Sequence, residues 1–348
     1  MIIARSPLRI SFAGGGTDIP AFYEKHGPGV VVSTSINRHV YVTLNHKFDG
    51  KISVRYRVHE NVDTADDLKH PLIREILKRF GVKNGVEIVI ISEVPAKGSG
   101  LGASSALACA LVAALERHTS VPGEGVDTFQ SMTKDGIANI ASQIEIGIGS
   151  PIGKQDHYAS AIGGLNLLKF MNDNRVQFTR FDDPEFIGEI EGQSMLFYLD
   201  MEHDYQPGDG HFVQRVLKDQ IAEMDRNHHI HRLQADNAIK LWDNMAYAVP
   251  ERFMDHINEN WRLKRSLHDG ISNPEIDSII QNAYAAGATA AKVCGAGGGG
   301  FLYLMVPKVM QDEVRSALAL KELKFGFENK GVEVIFDDRA REHAEARA

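Results

Sequence analysis

Cysteine is nearly absent from this chain: two stand among 348 residues, Cys109 and Cys294. A disulfide framework is excluded as the main support of the fold, and a reducing compartment suits the composition. Long apolar runs are missing too, the longest lying around Ala106 to Leu115 and too short to cross a bilayer. The opening residues Met1-Ile2-Ile3-Ala4-Arg5-Ser6-Pro7 contain no basic region followed by an apolar stretch and a small-residue cleavage site. These absences lead to the expectation of a soluble, cytoplasmic protein without a membrane partner. Excess positive charge is also lacking. The formal net charge is −8, which argues against a nucleic-acid partner but leaves room for a local basic pocket. No internal repeat or low-complexity linker interrupts the chain. Its length predicts two domains with room for a cleft between them, and the ordinary apolar and charged fractions are those of a globular protein.

Glycine, by contrast, is concentrated. Val86 to Ile91 reads as a strand, Pro95 to Ala103 as a glycine-rich turn and Ser104 to Arg117 as a helix. A helix start exposes unpaired N–H groups and partial positive charge, so an anion such as phosphate fits there. Gly98, Gly100 and Gly102 have no side chains to hold the backbone away from phosphate oxygens, and Ser104 and Ser105 offer hydroxyls to a metal. A Walker A loop is excluded, because the segment ends Gly102-Ala103-Ser104 rather than Gly-Lys-Ser/Thr. The dinucleotide pattern Gly98-x-Gly100-x-x-Ala103 expects an acid about twenty residues on at a strand end, and here that place falls inside the helix near Glu116. A plain glycine-rich turn is the remaining alternative.

Before this stretch, a strand from Ile2 to Ala13 delivers the chain into Gly14-Gly15-Gly16-Thr17-Asp18. Asp18 either accepts hydroxyls of a polyhydroxyl ligand or caps the helix that begins near Ile19-Pro20. Val30–Ile36, Val40–Asn45 and Ile52–Tyr56 predict an antiparallel sheet, and Asp66 to Phe80 a helix. After the central helix, Asp127 to Ile146 reads as another, with Glu145 near its unfavourable end. That carboxylate is either a magnesium ligand or a solvated helix-end acid. Gly153-Lys154-Gln155-Asp156 follows as a polar cluster, in which Asp156 has the character of a base for an attacking hydroxyl, with Lys154 or Arg9 countering its charge.

From about Phe186 the composition shifts. A strand over 194–200, helices from Phe212 to Leu267, two short strands about the glycines 295–300, a helix from Lys308 to Ala319 and a strand from Val332 to Asp337 describe an α+β second domain. The glycine run is suited to closing over a ligand bound to the first domain. His228-His229-Ile230-His231 has no second ligand pair at zinc-site spacing and reads as surface.

Three segments in order resemble the motifs of the GHMP kinases, the superfamily of galactokinase, homoserine kinase and mevalonate kinase. They are Pro7-Leu8-Arg9-Ile10-Ser11-Phe12-Ala13-Gly14-Gly15-Gly16-Thr17-Asp18, the segment Pro95 to Ala106, and Lys292 to Phe301. Within that superfamily, the first motif, Gly153-Lys154-Gln155-Asp156 and Trp261-x-Leu263-Lys264-Arg265-x-Leu267 with Gly270 to Asp277 resemble D-glycero-D-manno-heptose 7-phosphate kinase-like sugar kinases. The resemblance implies an α+β two-domain fold: a ribosomal protein S5 domain 2-like ATP-binding domain over 1–185, a ferredoxin-like domain over 186–348, and an active site in the cleft. It implies ATP and Mg²⁺, a sugar or sugar-phosphate acceptor phosphorylated at its anomeric hydroxyl, a place on the route to nucleotide-activated heptose for surface glycans, and room for a homodimer. By position it assigns Asp156 and Arg9 to catalysis. Lys97, Gly98, Ser99, Gly100, Leu101, Gly102, Ala103, Ser104 and Ser105 fall to ATP, and Ser104 and Glu145 to the metal. Gly14, Gly15, Gly16, Thr17, Asp18, Gly153, Lys154, Gln155, Gly297 and Gly298 fall to the substrate. Galactokinases have Glu-His where this chain has Gly15-Gly16, which disfavours galactose. Heptose kinases usually carry a Thr-Arg pair early in the second domain, whereas residues 202–211 here read Glu-His-Asp-Tyr-Gln-Pro-Gly-Asp-Gly-His, so Arg38, Lys97 and Lys154 are either replacements for it on a substrate phosphate or solvated surface charges.

Overall fold

The structure is a computed structural model that describes residues 1–95, 98–120, 132–199, 212–247 and 250–338. Strand β1 (Ile2–Ala13) feeds the first glycine loop, and Pro20 at the first helical position opens α1 (Pro20–His26). The chain returns as β2 (Gly29–His46), a single strand where the sequence suggests two. Residues 37 and 38 bulge instead of turning, because Pro7 pairs with His39 and Leu8 with Ile36. Distant neighbours hold that bulge: the Asn37 N–H donates to Gly326 O at 2.8 Å and the His39 N–H to Glu93 Oε2 at 2.6 Å.

Next come β3 (Ile52–Arg55), β4 (His59–Val62) and α2 (Pro71–Arg79). The helix expected from Asp66 is shorter because Pro71 has no N–H to continue a ladder, and Ala65–Asp67 forms a separate 3₁₀ turn. Strand β5 (Val86–Ser92) pairs antiparallel with β2 but parallel with β3, so the sheet is mixed rather than purely antiparallel. It is followed by α3 (Ala103–Thr119), α4 (Lys134–Gly147) and α5 (Gln155–Ile162). Part of the helix expected over Asp127–Ile146 lies outside the described residues. The hairpin β6 (Leu165–Phe170) and β7 (Val176–Phe181), with α6 (Pro184–Gln193), completes this half.

The second half holds β8 (Ser194–Leu199), α7 (Phe212–Ala222), α8 (Met224–Ala246), α9 (Pro250–Arg265) and α10 (Pro274–Ala285). It ends with β9 (Ala290–Val293), β10 (Gly300–Met305), α11 (Gln311–Leu318), β11 (Lys321–Glu322) and β12 (Glu333–Asp337).

One sheet runs β12-β1-β2-β5-β3-β4, with β6 and β7 branching from the first half of β2; the other runs β11-β8-β10-β9. The last strand therefore lies in the first sheet, antiparallel to β1. Both halves share a core, in which Phe12 of β1 stands edge-on to Phe253 of α9 and Tyr303 of β10 at 5.0 and 5.6 Å between centroids. Helix α3 sits at the centre of the first half. Its Ala-, Leu- and Val-rich sequence is buried on every side from Ser105 to Leu115, as a helix apolar all round must be. Contacts with β1, β2, α2, α4 and α5 fix its direction, and its N-terminus points into the cleft.

Candidate active site

A cavity of about 210 Å³ lies where the three glycine segments meet. Close backbone approach makes the junction. Gly100, at φ +73°, would place a Cβ 2.6 Å from Cys294 O, and Gly295 would place one 2.5 Å from the Gly100 Cα. A hydrogen bond from the Phe301 N–H to Ser99 O at 3.1 Å ties the same two segments together.

On one side of the cavity Arg9 grips Asp156. Its Nε and Nη2 donate to Oδ1 and Oδ2, both at 2.7 Å, and its Nη1 donates to Gly100 O at 2.6 Å. This forked ion pair fixes the carboxylate in the first turn of α5, beside the start of α3. Gly98, Ser99, Gly100, Gly102, Ala103 and Ser104 line the adjoining wall. Gly102, at φ +77°, precedes the helix without any side-chain cap, which leaves the first N–H groups of α3 for an anion.

Asp18 lines the same cavity beside Gln155, the residue that precedes Asp156. Its Oδ1 accepts from the Gly16 N–H at 3.0 Å and Gln155 Nε2 at 2.8 Å, and its Oδ2 accepts from the Gln155 N–H at 3.0 Å. Asp18 caps no helix: the residue before α1 is Ile19. Gly153 is required beside it, since a Cβ there would fall 1.9 Å from Asp18 Oδ2. Burial pushes the Asp18 carboxyl up to about 6, opposed by the Gln155 N–H and reinforced by the charge of Asp156. Neutral at acid pH and ionised near pH 7, the group is placed to accept hydroxyls. Gly15, Gly16, Gly153 and Gln155 share the cavity wall with it.

Glu145 is set back. It is buried, with Oε2 accepting from Ser105 Oγ at 3.3 Å and engaging His157 Nε2 at 2.8 Å. It is therefore not a solvated helix-end acid. Ser104 lines the cavity and Glu145 does not. Ser104 nevertheless adjoins the residue that holds Glu145, and a hydroxyl beside a carboxylate is the hard-oxygen donor set that magnesium takes, so the residues present fit that ion.

Several residues assigned by resemblance stand elsewhere. Thr17 and Gly14 shape the loop from behind, Thr17 Oγ1 donating to Gly14 O at 2.8 Å. Leu101 is fully buried, its carbonyl accepting from the Arg9 N–H at 3.1 Å. Lys154 turns away to Asn174, donating to its O and Oδ1 at 3.2 and 3.0 Å. Gly297 and Gly298 stand off the cavity wall, the Gly298 N–H donating to Ile271 O at 2.9 Å. Lys97 lies outside the described residues.

The second half contributes side chains to which the sequence assigned no role. Asn260 Oδ1 accepts from the Gly14 N–H at 3.0 Å, and Gln220 adds a buried amide to the wall. Lys292 Nζ donates to Ser11 O at 2.5 Å and Phe12 O at 3.2 Å. Lys264 Nζ donates to Val293 O at 3.2 Å and also to Gly295 O. Burial brings Lys264 down to about 7, with the charges of Lys292 and Arg9 adding to the effect, and brings Lys292 down to about 8. Both lysines sit in motifs that were legible, but spacing alone gave no sign that their ammonium groups reach this cavity.

Comparison with known proteins bears on this geometry. The model of the GHMP kinases N terminal domain matches residues 68–164, and that of the GHMP kinases C terminal matches residues 245–324. The D-glycero-alpha-D-manno-heptose 7-phosphate kinase of Campylobacter jejuni is 28% identical over 348 aligned positions, covering 95% of this chain and 98% of that protein. A mevalonate kinase of Archaeoglobus fulgidus is 31% identical over 244 positions, covering 68% and 72%. The crystal structure of a D-glycero-D-manno-heptose 1-phosphate kinase from Bacteriodes thetaiotaomicron superposes with a TM-score of 0.74 over 97% of this chain and 99% of that one, at 20% identity, a likeness of fold.

Proposed function

The chain belongs to the GHMP kinases, and on that premise we propose that it is an ATP-dependent sugar kinase that phosphorylates the anomeric hydroxyl of a heptose phosphate, D-glycero-D-manno-heptose 7-phosphate to the 1,7-bisphosphate. The observation that carries the reading is the shared cavity. It brings Asp156 and the N-terminus of α3 together with the buried carboxylate of Asp18.

In this reading the start of α3 and the loop N–H groups bind the triphosphate, and Arg9 holds the Asp156 carboxylate in place beside it. Asp18 and Gln155 orient the sugar ring. Asp156 takes the proton of the attacking hydroxyl as its oxygen bonds to phosphorus, while the bond from Pγ to the β-phosphate oxygen breaks and that electron pair leaves with ADP. Ser104 and Glu145 would hold Mg²⁺, which neutralises phosphate charge when bound. Most of the rate gain comes from positioning and charge, because the chemistry asks little else of the protein.

A second reading, an unphosphorylated heptose or fucose as acceptor, is favoured by one observation. The side chains that hydrogen-bond the Gly14–Asp18 loop from outside it, Gln155 and Asn260, are uncharged, and residues 200–211 contain four carboxylates and no lysine or arginine. Sugar-dependent ADP release, measured across heptose 7-phosphate, heptose, fucose and mevalonate, separates the readings. Turnover with heptose 7-phosphate is expected; turnover only with a neutral sugar would transfer the assignment to the second reading, and turnover only with mevalonate would overturn both.

A further inference from the structure

Lys264 and Lys292 reach the cavity from α9 and β9, and every hydrogen bond they make among the described residues ends on a backbone carbonyl. Neither has a carboxylate within ion-pair distance among those residues. The two acids that line the cavity are already engaged, Asp156 by Arg9 and Asp18 by Gly16 and Gln155. Three cations therefore converge against two carboxylates in a protein whose formal net charge is −8. A buried cation without a counterion is costly, and an arriving anion repays it.

An ammonium has three donors, and each of these uses two on carbonyls, which leaves one N–H apiece for a ligand. The position of Lys264 is fixed by the residues it holds. Val293 and Gly295 flank Cys294, whose carbonyl abuts Gly100 of the phosphate loop, and Gly100 O is the acceptor of Arg9 Nη1. Lys264 is thereby tied to the point where the second half of the chain touches the phosphate loop. The groups facing it are Lys292, Arg9 and Cys294, and none of them is anionic at neutral pH, since burial also raises the Cys294 thiol.

We propose that Lys264, backed by Lys292, is a further catalytic residue that binds the γ-phosphoryl group of the nucleotide and follows it during transfer to the sugar. The role rests on the kinase reading above. Lys264 exchanges no proton and forms no bond in the step; it supplies positive charge and a donor to the oxygens of the phosphoryl group as the bond to ADP breaks and the bond to the sugar oxygen forms. Held by the carbonyls of Val293 and Gly295 and lying 5.8 Å from the centre of the Trp261 ring, it also couples seating of the 295–300 segment to arrival of the phosphate.

The test measures calorimetric affinity for a magnesium-loaded, non-hydrolysable ATP analogue and for ADP, together with kcat, in the wild type, Lys264→Met and Lys264→Arg. Lys264→Met is expected to lower kcat by about 100-fold or more. It should abolish the preference for the triphosphate over ADP while leaving ADP affinity intact, and arginine should restore part of that preference. Wild-type affinity for the analogue should fall as pH rises through the neutral-to-alkaline range, and Lys264→Met should lose the part of this limb near 7 while keeping that of Lys292 near 8. Lys264→Gln, which keeps a donor for Gly295 O, reads the same preference if methionine unfolds the protein. Unchanged kcat and unchanged triphosphate preference, with only a lower melting temperature, would reduce Lys264 to a structural staple and overturn the proposal. So would a defect confined to phosphorylated sugars, which would make the lysines the seat of the acceptor's phosphate. Wild-type protein that binds neither nucleotide would overturn the kinase reading itself, and the lysine role with it.

Discussion

The two walls of the cavity are built on opposite principles. The wall from the first half of the chain is electrostatically closed: Arg9 and Asp156 satisfy each other in a forked pair, and Asp18 accepts three hydrogen bonds from Gly16 and Gln155. The wall from the second half is open, presenting Lys264 and Lys292 on backbone carbonyls, with the Trp261 ring under Lys264 and no carboxylate in ion-pair contact among the described residues. The closed wall holds its two carboxylates in place before any ligand arrives. The open wall holds charge that a ligand must complete, so affinity for an anion is stored there and geometry is stored opposite.

Substitutions on the closed wall should sharpen this contrast. The largest effect is expected from Asp156→Asn, which keeps a hydrogen-bond acceptor but removes the carboxylate proposed as the base. Steady-state kinetics should show kcat lowered by about 10²–10⁴-fold with nucleotide affinity retained. Equal kcat would remove Asp156 from the base role. Asp18→Asn should raise the sugar KM by about tenfold or more, the worth of a hydrogen bond to a charged group. In the wild type the sugar KM should rise as pH falls through about 6, where Asp18 takes up its proton, and that acidic limb should vanish in Asp18→Asn.

The same carboxyl gives an opposite sign in stability. Its folded value lies above its unfolded one, so the native state holds the proton longer, and this group's contribution to stability declines as pH rises from about 4 to about 6. Urea titrations of the ligand-free protein across that range check the slope against Asp18→Asn, which should lack it.

Gly100→Ala strikes the contact between the walls. Its positive φ and the nearby Cys294 carbonyl should cost about 1–3 kcal/mol and weaken ATP binding, read by denaturant titration and calorimetry. The smallest functional effect is expected at Lys154. Its ammonium is occupied by Asn174, so Lys154→Met should cost about 1–2 kcal/mol of stability while leaving kcat and both KM values near wild type. A large rise in sugar KM there would return Lys154 to the substrate.

The legible parts of the fold were those written locally. The β1 strand, the β5–α3 unit and the glycine segments follow from alternation, apolar runs and turn residues close in sequence. What escaped reading depends on distant partners. Asn37 and Arg38 look like a turn, yet they bulge within one strand because the chain near Gly326 pairs with Asn37. The closing strand looks like part of the second half, yet Glu333–Asp337 adds to β1. The site divides in the same way. Asp18, Gln155 and Asp156 belong to short polar motifs and meet at one cavity, whereas Lys264 gained its place only when α9 brought it to the carbonyls of Val293 and Gly295. Lys154 shows the converse, a charge in the right motif that folds onto Asn174.

³¹P NMR of the protein with Mg·ATP and heptose 7-phosphate reads directly whether this cavity moves a phosphoryl group from ATP to a sugar hydroxyl, as proposed. ADP resonances are expected together with a second phosphate ester at the anomeric position. ATP consumed to inorganic phosphate alone, or no new ester with any sugar despite nucleotide binding, would contradict the proposal.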